Sequence, residues 1–236
     1  MTIDTGAVTG QDASLMGDNG RYSKLVVGVV LAGGQSRRMG GGDKSLNVLN
    51  GEPMIARVVE RMSRQAGTVV INANGDPGRF ADLGLPVTAD AIDGFAGPLA
   101  GIHAGMLWAR ENVPDARWIA TAAADTPFFP EDLVVRLAGA NGHDEGMIAL
   151  ASSGDRVHPV FGLWPVALAN DLEQALKADS IRKVLAWVDR HPYAEARFGG
   201  PVIDGIEIDP FFNVNTPEDM ETAEVVASAL DTDAAA

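Results

Sequence analysis

The sequence predicts an α/β fold in which a doubly wound, mostly parallel sheet carries helices on both faces. Apolar runs typical of buried strands alternate along the chain with segments whose apolar residues recur at helical spacing. The first apolar run, residues 25–30, leads directly into a glycine-rich loop. Open parallel sheets bind their ligands at the carboxyl ends of the strands, so this fold also predicts where a site would lie.

We expect one folded domain between two flexible ends. Residues 1–23 are rich in Gly, Asp, Thr and Ser and show little periodicity, which is typical of a flexible leader. Residues 24–230 carry the alternating elements, and their length suits one large α/β domain. Residues 231–236 are polar or Ala, which predicts a flexible tail.

The first helix is predicted over residues 53–65, where apolar residues at i, i+3, i+4 and i+7 form one face and Pro53 suits the first turn. The next strand is expected at residues 68–71. The later elements are expected as a helix over 98–111, a strand over 118–124, a helix opened by Pro130, adjacent strands over 146–151 and 157–163, short helices over 165–177 and 180–189, and a last helix capped by Thr216.

The composition excludes several classes of function. A net charge of −14 argues against non-specific nucleic-acid binding, and the absence of cysteine excludes disulfides, thiol nucleophiles and cysteine-ligated zinc. No apolar run approaches the roughly 20 residues of a membrane span, and the first residues lack the pattern of a signal peptide. We therefore expect a cytoplasmic protein with neither a nucleic-acid nor a membrane partner.

Residues 31–44, LAGGQSRRMGGGDK, form the glycine-rich loop after the first strand. Glycines let backbone N–H groups curl around an anion, and the loop's cations would neutralise phosphate charge. A lysine suits the non-bridging oxygens, so Lys44 is predicted to clamp phosphate, and Arg37 and Arg38 could grip the leaving pyrophosphate by bidentate contacts. The loop therefore predicts binding of a nucleoside triphosphate.

Other interpretations of this loop fit less well. The Gly-x-Gly-x-x-Gly spacing of dinucleotide-binding loops is absent after the strand. A P-loop requires Gly-Lys-Ser/Thr, but Asp43 separates Gly42 from Lys44 and would repel phosphate. The remaining alternative is a surface turn that happens to be rich in Gly and Arg.

Asp125 follows the apolar strand predicted over residues 118–124. A carboxylate at the carboxyl end of such a strand could hold Mg²⁺ on a triphosphate. The alternatives are an N-cap aspartate for the next helix and the aspartate of a Walker B element. The local sequence does not separate these three interpretations.

The loop at 31–44 resembles the signature of the molybdenum cofactor guanylyltransferases, the MobA-type enzymes of the nucleotidyltransferase superfamily, which have a Rossmann-like fold. The resemblance extends over about residues 25–230 through further motifs in the same order: Asn72-Ala-Asn74, Gly97-Pro-Leu-Ala-Gly101, Asp125-Thr-Pro127, Arg156-Val-His-Pro159 and Phe212-Asn-Val-Asn-Thr-Pro-Glu218.

This resemblance implies transfer of GMP from GTP to the phosphate of molybdopterin, with Mg²⁺ as cofactor and pyrophosphate as the other product. It implies catalytic roles for Lys44, Arg38 and Asp125, with the metal on Asp125. The implied nucleotide-binding residues are Leu31, Ala32, Gly33, Gly34, Lys44, Asn72, Asp90 and Asp125. The implied molybdopterin-binding residues are Arg156, His158, Asn213 and Asn215. Transient contacts with other proteins of cofactor biosynthesis are a further expectation.

Three alternative functions stay open. A molybdopterin cytidylyltransferase or a sugar-phosphate nucleotidyltransferase uses a related loop, although cytidylyl enzymes typically resemble Leu-Ala-Ala-Gly where this chain has Gly33, and sugar-phosphate enzymes are usually longer. A GTP-binding module without transferase activity would suit the acidic surface. A P-loop hydrolase is the third, and Asp43 argues against it.

Overall fold

A seven-stranded sheet forms the centre of the protein, as seen in a computed structural model. The predicted leader up to residue 22, the predicted phosphate loop over 34–43 and the last two residues lie outside the described part of the chain. The predictions for Gly34, Arg37 and Arg38 therefore stay predictions. The structure describes residues 23–33, 44–92, 94, 97–203 and 205–234.

The strands are, in chain order, β1 (Val26–Leu31), β2 (Val48–Leu49), β3 (Glu52–Pro53), β4 (Thr68–Asn72), β5 (Val87–Thr88), β6 (Trp118–Ala123), β7 (Ile148–Ser153), β8 (Arg156–Pro165), β9 (Tyr193–Arg197), β10 (Val202–Ile203) and β11 (Ile206–Glu207). The large sheet has the order β5-β4-β1-β6-β8-β7-β9, and β2–β3 and β10–β11 form separate two-stranded sheets. Within the large sheet, β8 pairs antiparallel with both neighbours and all other pairs are parallel. The prediction of a mostly parallel sheet is confirmed.

The direction of β8 follows from the short connection before it. Only residues 154 and 155 separate β7 from β8, and so short a turn can join antiparallel strands alone. A parallel pair would need a crossover of a dozen residues or more. The expectation of two adjacent strands in this region is thus confirmed.

The described α-helices are α1 (Met54–Ser63), α2 (Pro98–Asn112), α3 (Leu133–Ala140), α4 (Ala169–Lys177), α5 (Val184–Val188) and α6 (Pro217–Ala234), and 3₁₀ turns cover Ser23–Leu25, Lys44–Leu46, Pro77–Leu83 and Val166–Leu168. The last helix corrects our expectation of a flexible tail from residue 231. It continues to Ala234, and the Asp231 carboxylate pairs with the Arg57 guanidinium at 2.9 Å. This contact with α1 holds the final turn against the domain.

Helices cover both faces of the sheet, as predicted. Alternate residues of β1 point to opposite sides, so Val26 and Val30 join one buried cluster while Val27 and Val29 join the other. The first cluster contains the apolar residues of α1 and α3, and the second contains those of α2, α4 and α5. A Cβ on Gly28 would lie 2.4 Å from the Met62 Cγ, so this glycine lets α1 pack closely on β1.

One edge of the sheet gathers the segments that carry the predicted site. Leu31 is in register with Asn72 on one side and with Ala123 on the other, so β1, β4 and β6 end together. Since β7 and β9 run in the same direction as β6, they end at this edge too. A third apolar cluster, which includes Leu49, Phe128 and Val214, packs the β2–β3 hairpin and α6 beside this edge. Among the described helices, none combines the length and hydropathy needed to cross a bilayer.

Candidate active site

Lys44 and Asp125 lie together at the middle of this edge. The Lys44 ammonium donates to the backbone carbonyl of Asn215 at 3.2 Å and approaches its side-chain Oδ1 at 3.5 Å. The Asn215 segment is itself tied to the end of β6, because the Val214 N–H donates to the Asp125 carbonyl at 2.9 Å. Residues predicted separately as nucleotide-binding and as acceptor-binding therefore occupy one place in the fold.

Asp125 is a partly buried carboxylate, and burial raises its pKa above the ordinary value. The backbone N–H of Asp125, the Thr126 hydroxyl and, last, the positive charge of Lys44 oppose this shift of the pKa. A cation that arrives with the ligand would therefore stabilise the ionised form of this partly desolvated carboxylate. The N-cap interpretation of Asp125 is wrong, since the next helix begins at Leu133 and its N-cap position is Asp132.

Thr126 orients Asn213 next to this carboxylate. The fully buried Thr126 hydroxyl donates to Asn213 Oδ1 at 2.7 Å and lies 3.4 Å from Asp125 Oδ1. A hydroxyl has one proton, so the shorter contact takes it. The carbonyl oxygen of the Asn213 amide is thus engaged with the protein, and its amino group is the end available for a ligand. Sequence reasoning missed Thr126, which lies 87 positions from its partner.

Asn72, Asn74 and Asp90 form a polar network beyond the end of β4. The amide of Asn72, which is 3% exposed, donates to Asp90 Oδ1 at 3.0 Å, and Asn74 donates to Asp90 Oδ2 at 2.7 Å. The Asp90 N–H donates back to Asn74 Oδ1 at 2.9 Å. Each carboxylate oxygen has room for a second donor, so this network presents an oriented acceptor pair. Asn74 had no predicted role, and the structure makes it a support for Asp90.

Glycine allows α2 to pack against this network. A Cβ on Gly101 would lie 2.3 Å from Asn72 Oδ1 and 2.8 Å from a Leu31 methyl group. Gly101 of the Gly97–Gly101 motif thus serves the close packing of α2 on β1 and β4. The backbone N–H of Ala32 donates to the Asn72 carbonyl at 2.9 Å and is therefore not available to a ligand. Ala32 therefore contributes to the site by holding Asn72.

His158 is buried on β8, next to the end of β7, and supports the site through Ser153. Its ring is 6% exposed, stacks on Phe211 with centroids 4.4 Å apart, and has a pKa lowered by burial. Its Nε2 lies 2.7 Å from the Ser153 hydroxyl, which in turn donates to Asp209 Oδ1 at 2.9 Å. Because the serine proton goes to the carboxylate, the neutral imidazole carries its proton on Nε2 and donates to Ser153.

A groove of about 660 Å³ opens beside this relay, lined by Ser153, Gly154, Arg197, Phe198, Gly199, Glu207, Asp209 and Pro210. His158 and Arg156 are not among the lining residues, and Arg156 lies exposed at the start of β8. The polar side chains that line the groove are those of Ser153, Arg197, Glu207 and Asp209, and sequence reasoning missed all four. No local signal pairs Ser153 with Asp209, because they are 56 positions apart.

The single carboxylate of Asp125 suits a metal ion that is shared with a substrate. Within the described residues, no group of three or more His, Asp or Glu side chains is arranged to hold an ion. Mg²⁺ is commonly held by one or two carboxylates together with substrate phosphates and water. Asp125, a desolvated carboxylate beside a lysine, fits that pattern.

The family model of the MobA-like NTP transferase domain matches residues 28–194. A protein of Rhodopseudomonas palustris (strain BisB5) named molybdenum cofactor guanylyltransferase is 52% identical over 84% of this chain and 92% of its own length. One of the same name from Bradyrhizobium sp. (strain ORS 278) is 48% identical over 89% of this chain and 96% of its own length.

Solved structures agree on the fold. The crystal structure of molybdopterin-guanine dinucleotide biosynthesis protein A from Archaeoglobus fulgidus superposes with a TM-score of 0.62 at 24% identity, covering 86% of this chain and 99% of its own. A nucleotidyl transferase from Methanothermobacter thermautotrophicus gives a TM-score of 0.64 at 18% identity, covering 86% and 99%. The family expected from the glycine-rich loop is confirmed by the sequence comparisons, and the chain belongs to the MobA-like NTP transferases.

Proposed function

We propose that this protein transfers GMP from GTP to the terminal phosphate of molybdopterin, giving the guanine dinucleotide form of the cofactor and pyrophosphate. The observation that carries the proposal is the placement of Lys44 and Asp125 between the Asn72–Asp90 network and the Ser153–Asp209 groove. The names of relatives that share about half of their residues with this chain support the same activity. The reaction would take place in the cytoplasm, where GTP is available.

The Asn72–Asp90 network would read the guanine base. Guanine offers two neighbouring donors, N1–H and the 2-amino group, which match the two oxygens of one carboxylate. Asn72 and Asn74 each hold one Asp90 oxygen, so the carboxylate is oriented before the base arrives. Cytosine lacks that donor pair, and this difference favours GTP over CTP.

Lys44 and Asp125 would act on the triphosphate. An oxygen of the molybdopterin phosphate attacks the α-phosphorus in line, the bond to the β-phosphate oxygen breaks, and pyrophosphate leaves with the bonding pair. The attacking phosphate is already ionised, so no general base is required. Lys44 would neutralise negative charge on the transferring group, and positioning supplies much of the remaining acceleration. Mg²⁺ on Asp125, when bound, would add Lewis-acid neutralisation of the phosphate oxygens.

The groove lined by Ser153 and Asp209 would hold the far end of the acceptor. The groove lining carries the cation Arg197 together with the two carboxylates Asp209 and Glu207, so its net charge is negative, whereas Lys44 attracts a phosphate. An acceptor with a phosphate at one end would therefore enter with that phosphate toward Lys44. Arg156, His158, Asn213 and Asn215 stay proposed acceptor-site residues, with His158 acting through Ser153.

The test is a transfer assay with α-labelled GTP, molybdopterin and Mg²⁺, run in parallel with CTP and ATP. We expect labelled dinucleotide and pyrophosphate from GTP alone, and loss of both in Asp125→Ala. Asp115→Ala removes an exposed carboxylate that precedes β6, at the opposite end of the strand from Asp125, and serves as the matched control. Product from CTP would assign the protein to the cytidylyl branch. GTP binding without transfer would favour a non-catalytic module, and release of free phosphate would favour a hydrolase.

A further inference from the structure

The loop before α6 contacts the Lys44 ammonium through a single residue, Asn215. Both contacts of the Lys44 ammonium in this loop are to Asn215, one to its carbonyl and one to its side chain. The position of the ammonium therefore depends on how firmly the backbone and side chain of Asn215 are held.

Asp219 supplies that restraint. Its Oδ2 accepts from the backbone N–H of Asn215 and from that of Thr216, each at 2.9 Å. The Thr216 hydroxyl closes the loop by accepting from the Asp219 N–H at 3.1 Å. The Asn215 N–H bond is also the first cause of a lowered Asp219 pKa, so the carboxylate stays ionised well into the acid range.

The arrangement places Lys44 between two carboxylates with different tasks. Asp125 lies at the end of β6 and is desolvated, while Asp219 is held by two backbone donors on its Oδ2. Two backbone N–H groups on a single oxygen tie this carboxylate to the loop. It is well suited to fixing a loop.

We propose that Asp219 is a positioning residue, which fixes Asn215 and through it the ammonium of Lys44 against the triphosphate. The inference rests on the proposed function, since it assumes that Lys44 acts on GTP. The competing explanation is an ordinary capping box, in which Thr216 and Asp219 stabilise the start of α6 and do nothing else.

Thr216→Ala separates the two explanations. It removes the cap to the Asp219 N–H but keeps both N–H bonds to the Asp219 carboxylate. Asp219→Ala does the reverse: it removes both bonds to the carboxylate and keeps the bond to Thr216, which is donated by the backbone N–H of residue 219. Each variant loses one half of the capping box at the start of α6, which costs about 1 kcal/mol, so both should show a similar fall in Tm. We expect kcat/KM for GTP to fall by about tenfold or more in Asp219→Ala and to stay within about twofold of wild type in Thr216→Ala.

A double-mutant cycle with Lys44→Ala tests whether Asp219 acts through the lysine. Removing Asp219 should change kcat/KM by less than about twofold when Lys44 is already absent, because Asp219 then has no ammonium to position. Independent, multiplicative losses would overturn the proposal, as would equal kinetic losses in Asp219→Ala and Thr216→Ala. If wild type transfers no GMP, the proposed function fails instead. Calorimetric GTP affinity then decides the inference, with Asp219→Ala expected to bind more weakly than Thr216→Ala and equal affinities counting against it.

Discussion

Lys44 and Asn215 lie 171 positions apart in the chain and meet at 3.2 Å, ammonium to carbonyl. The contact joins the segment after the phosphate loop to the segment before the last helix, with Asp125 beside it. Each of these residues could be singled out in the sequence for its chemistry. Because they meet at the carboxyl edge of the sheet, three motifs that are separate in the sequence form one candidate centre.

Asp125→Asn is expected to stabilise the nucleotide-free protein while abolishing transfer. Because burial raises the folded-state pKa of Asp125, the protonated carboxyl contributes stability at low pH, and this contribution is lost as the pH rises through the folded pKa. Asparagine avoids that loss. The Tm difference between variant and wild type should therefore grow as the pH rises above about 4, the ordinary pKa of an Asp carboxyl, as thermal unfolding would measure. A variant that melts below wild type across this range would contradict the account of a desolvated charge.

Gly101→Ala is expected to weaken GTP binding. The added methyl would lie 2.3 Å from Asn72 Oδ1, so Asn72 must shift and release its hold on Asp90. We expect KM for GTP to rise by about fivefold or more with a smaller effect on kcat, because the base contacts are made equally in ground and transition states. Gly139→Ala is the matched control, since it lies in a helix with open space around its Cβ position and should stabilise slightly. Equal KM values in the two variants would refute the packing argument.

Ser153→Ala is expected to affect the acceptor and spare the nucleotide. The change breaks the relay between His158 and Asp209 and removes one hydroxyl from the groove. KM for molybdopterin should rise by about threefold to tenfold, because a lost hydrogen bond to a charged group costs about 1.5–3 kcal/mol when the contact is direct and less when it is partly replaced by water. The calorimetric affinity for GTP should not change. A shift in GTP affinity of the same size would mean that the groove and the nucleotide site are not separate.

His103 is expected to make the fold sensitive to acid. It lies within α2, is 1% exposed, and neither ring nitrogen has a hydrogen-bond partner among the described residues. Burial lowers its pKa below 6.5, the favourable charge of Glu173 is offset by those of Lys177 and Arg110, and the folded state therefore binds fewer protons than the unfolded state. Stability should accordingly fall as the pH drops below about 6.5.

His103→Leu checks this directly by removing the titrating group while keeping an apolar side chain in the helix. Urea unfolding at about pH 7.5 and about pH 5 should show a smaller acid-induced loss in the variant than in wild type. His158, whose pKa is also lowered by burial, is present in both proteins, so the difference between their two losses belongs to His103. Parallel losses would assign the acid sensitivity elsewhere.

Periodicity along the chain determined most of the secondary structure. The helical spacing after Pro53 and the apolar run of β1 reflect burial of a stripe or of both strand faces, and such patterns are local. Sequence reasoning missed β2, β3, β5, β10 and β11, which have two residues each, and β9, an edge strand with exposed Glu195 and Arg197. Such strands are formed by pairing with neighbours, and their own residues carry little periodic signal.

By itself the sequence determined the fold class, the family and the residues whose chemistry suits a nucleotide, because glycines, lysines and carboxylates at strand ends are visible without coordinates. Only the tertiary structure decided which of them act together. Thr126 with Asn213, Ser153 with Asp209 and Asn72 with Gly101 are partners because the order and register of the strands bring distant segments to one edge. Hydrogen bonds and close packing act over a few ångströms, so separation along the chain carries no information about them until the sheet has formed.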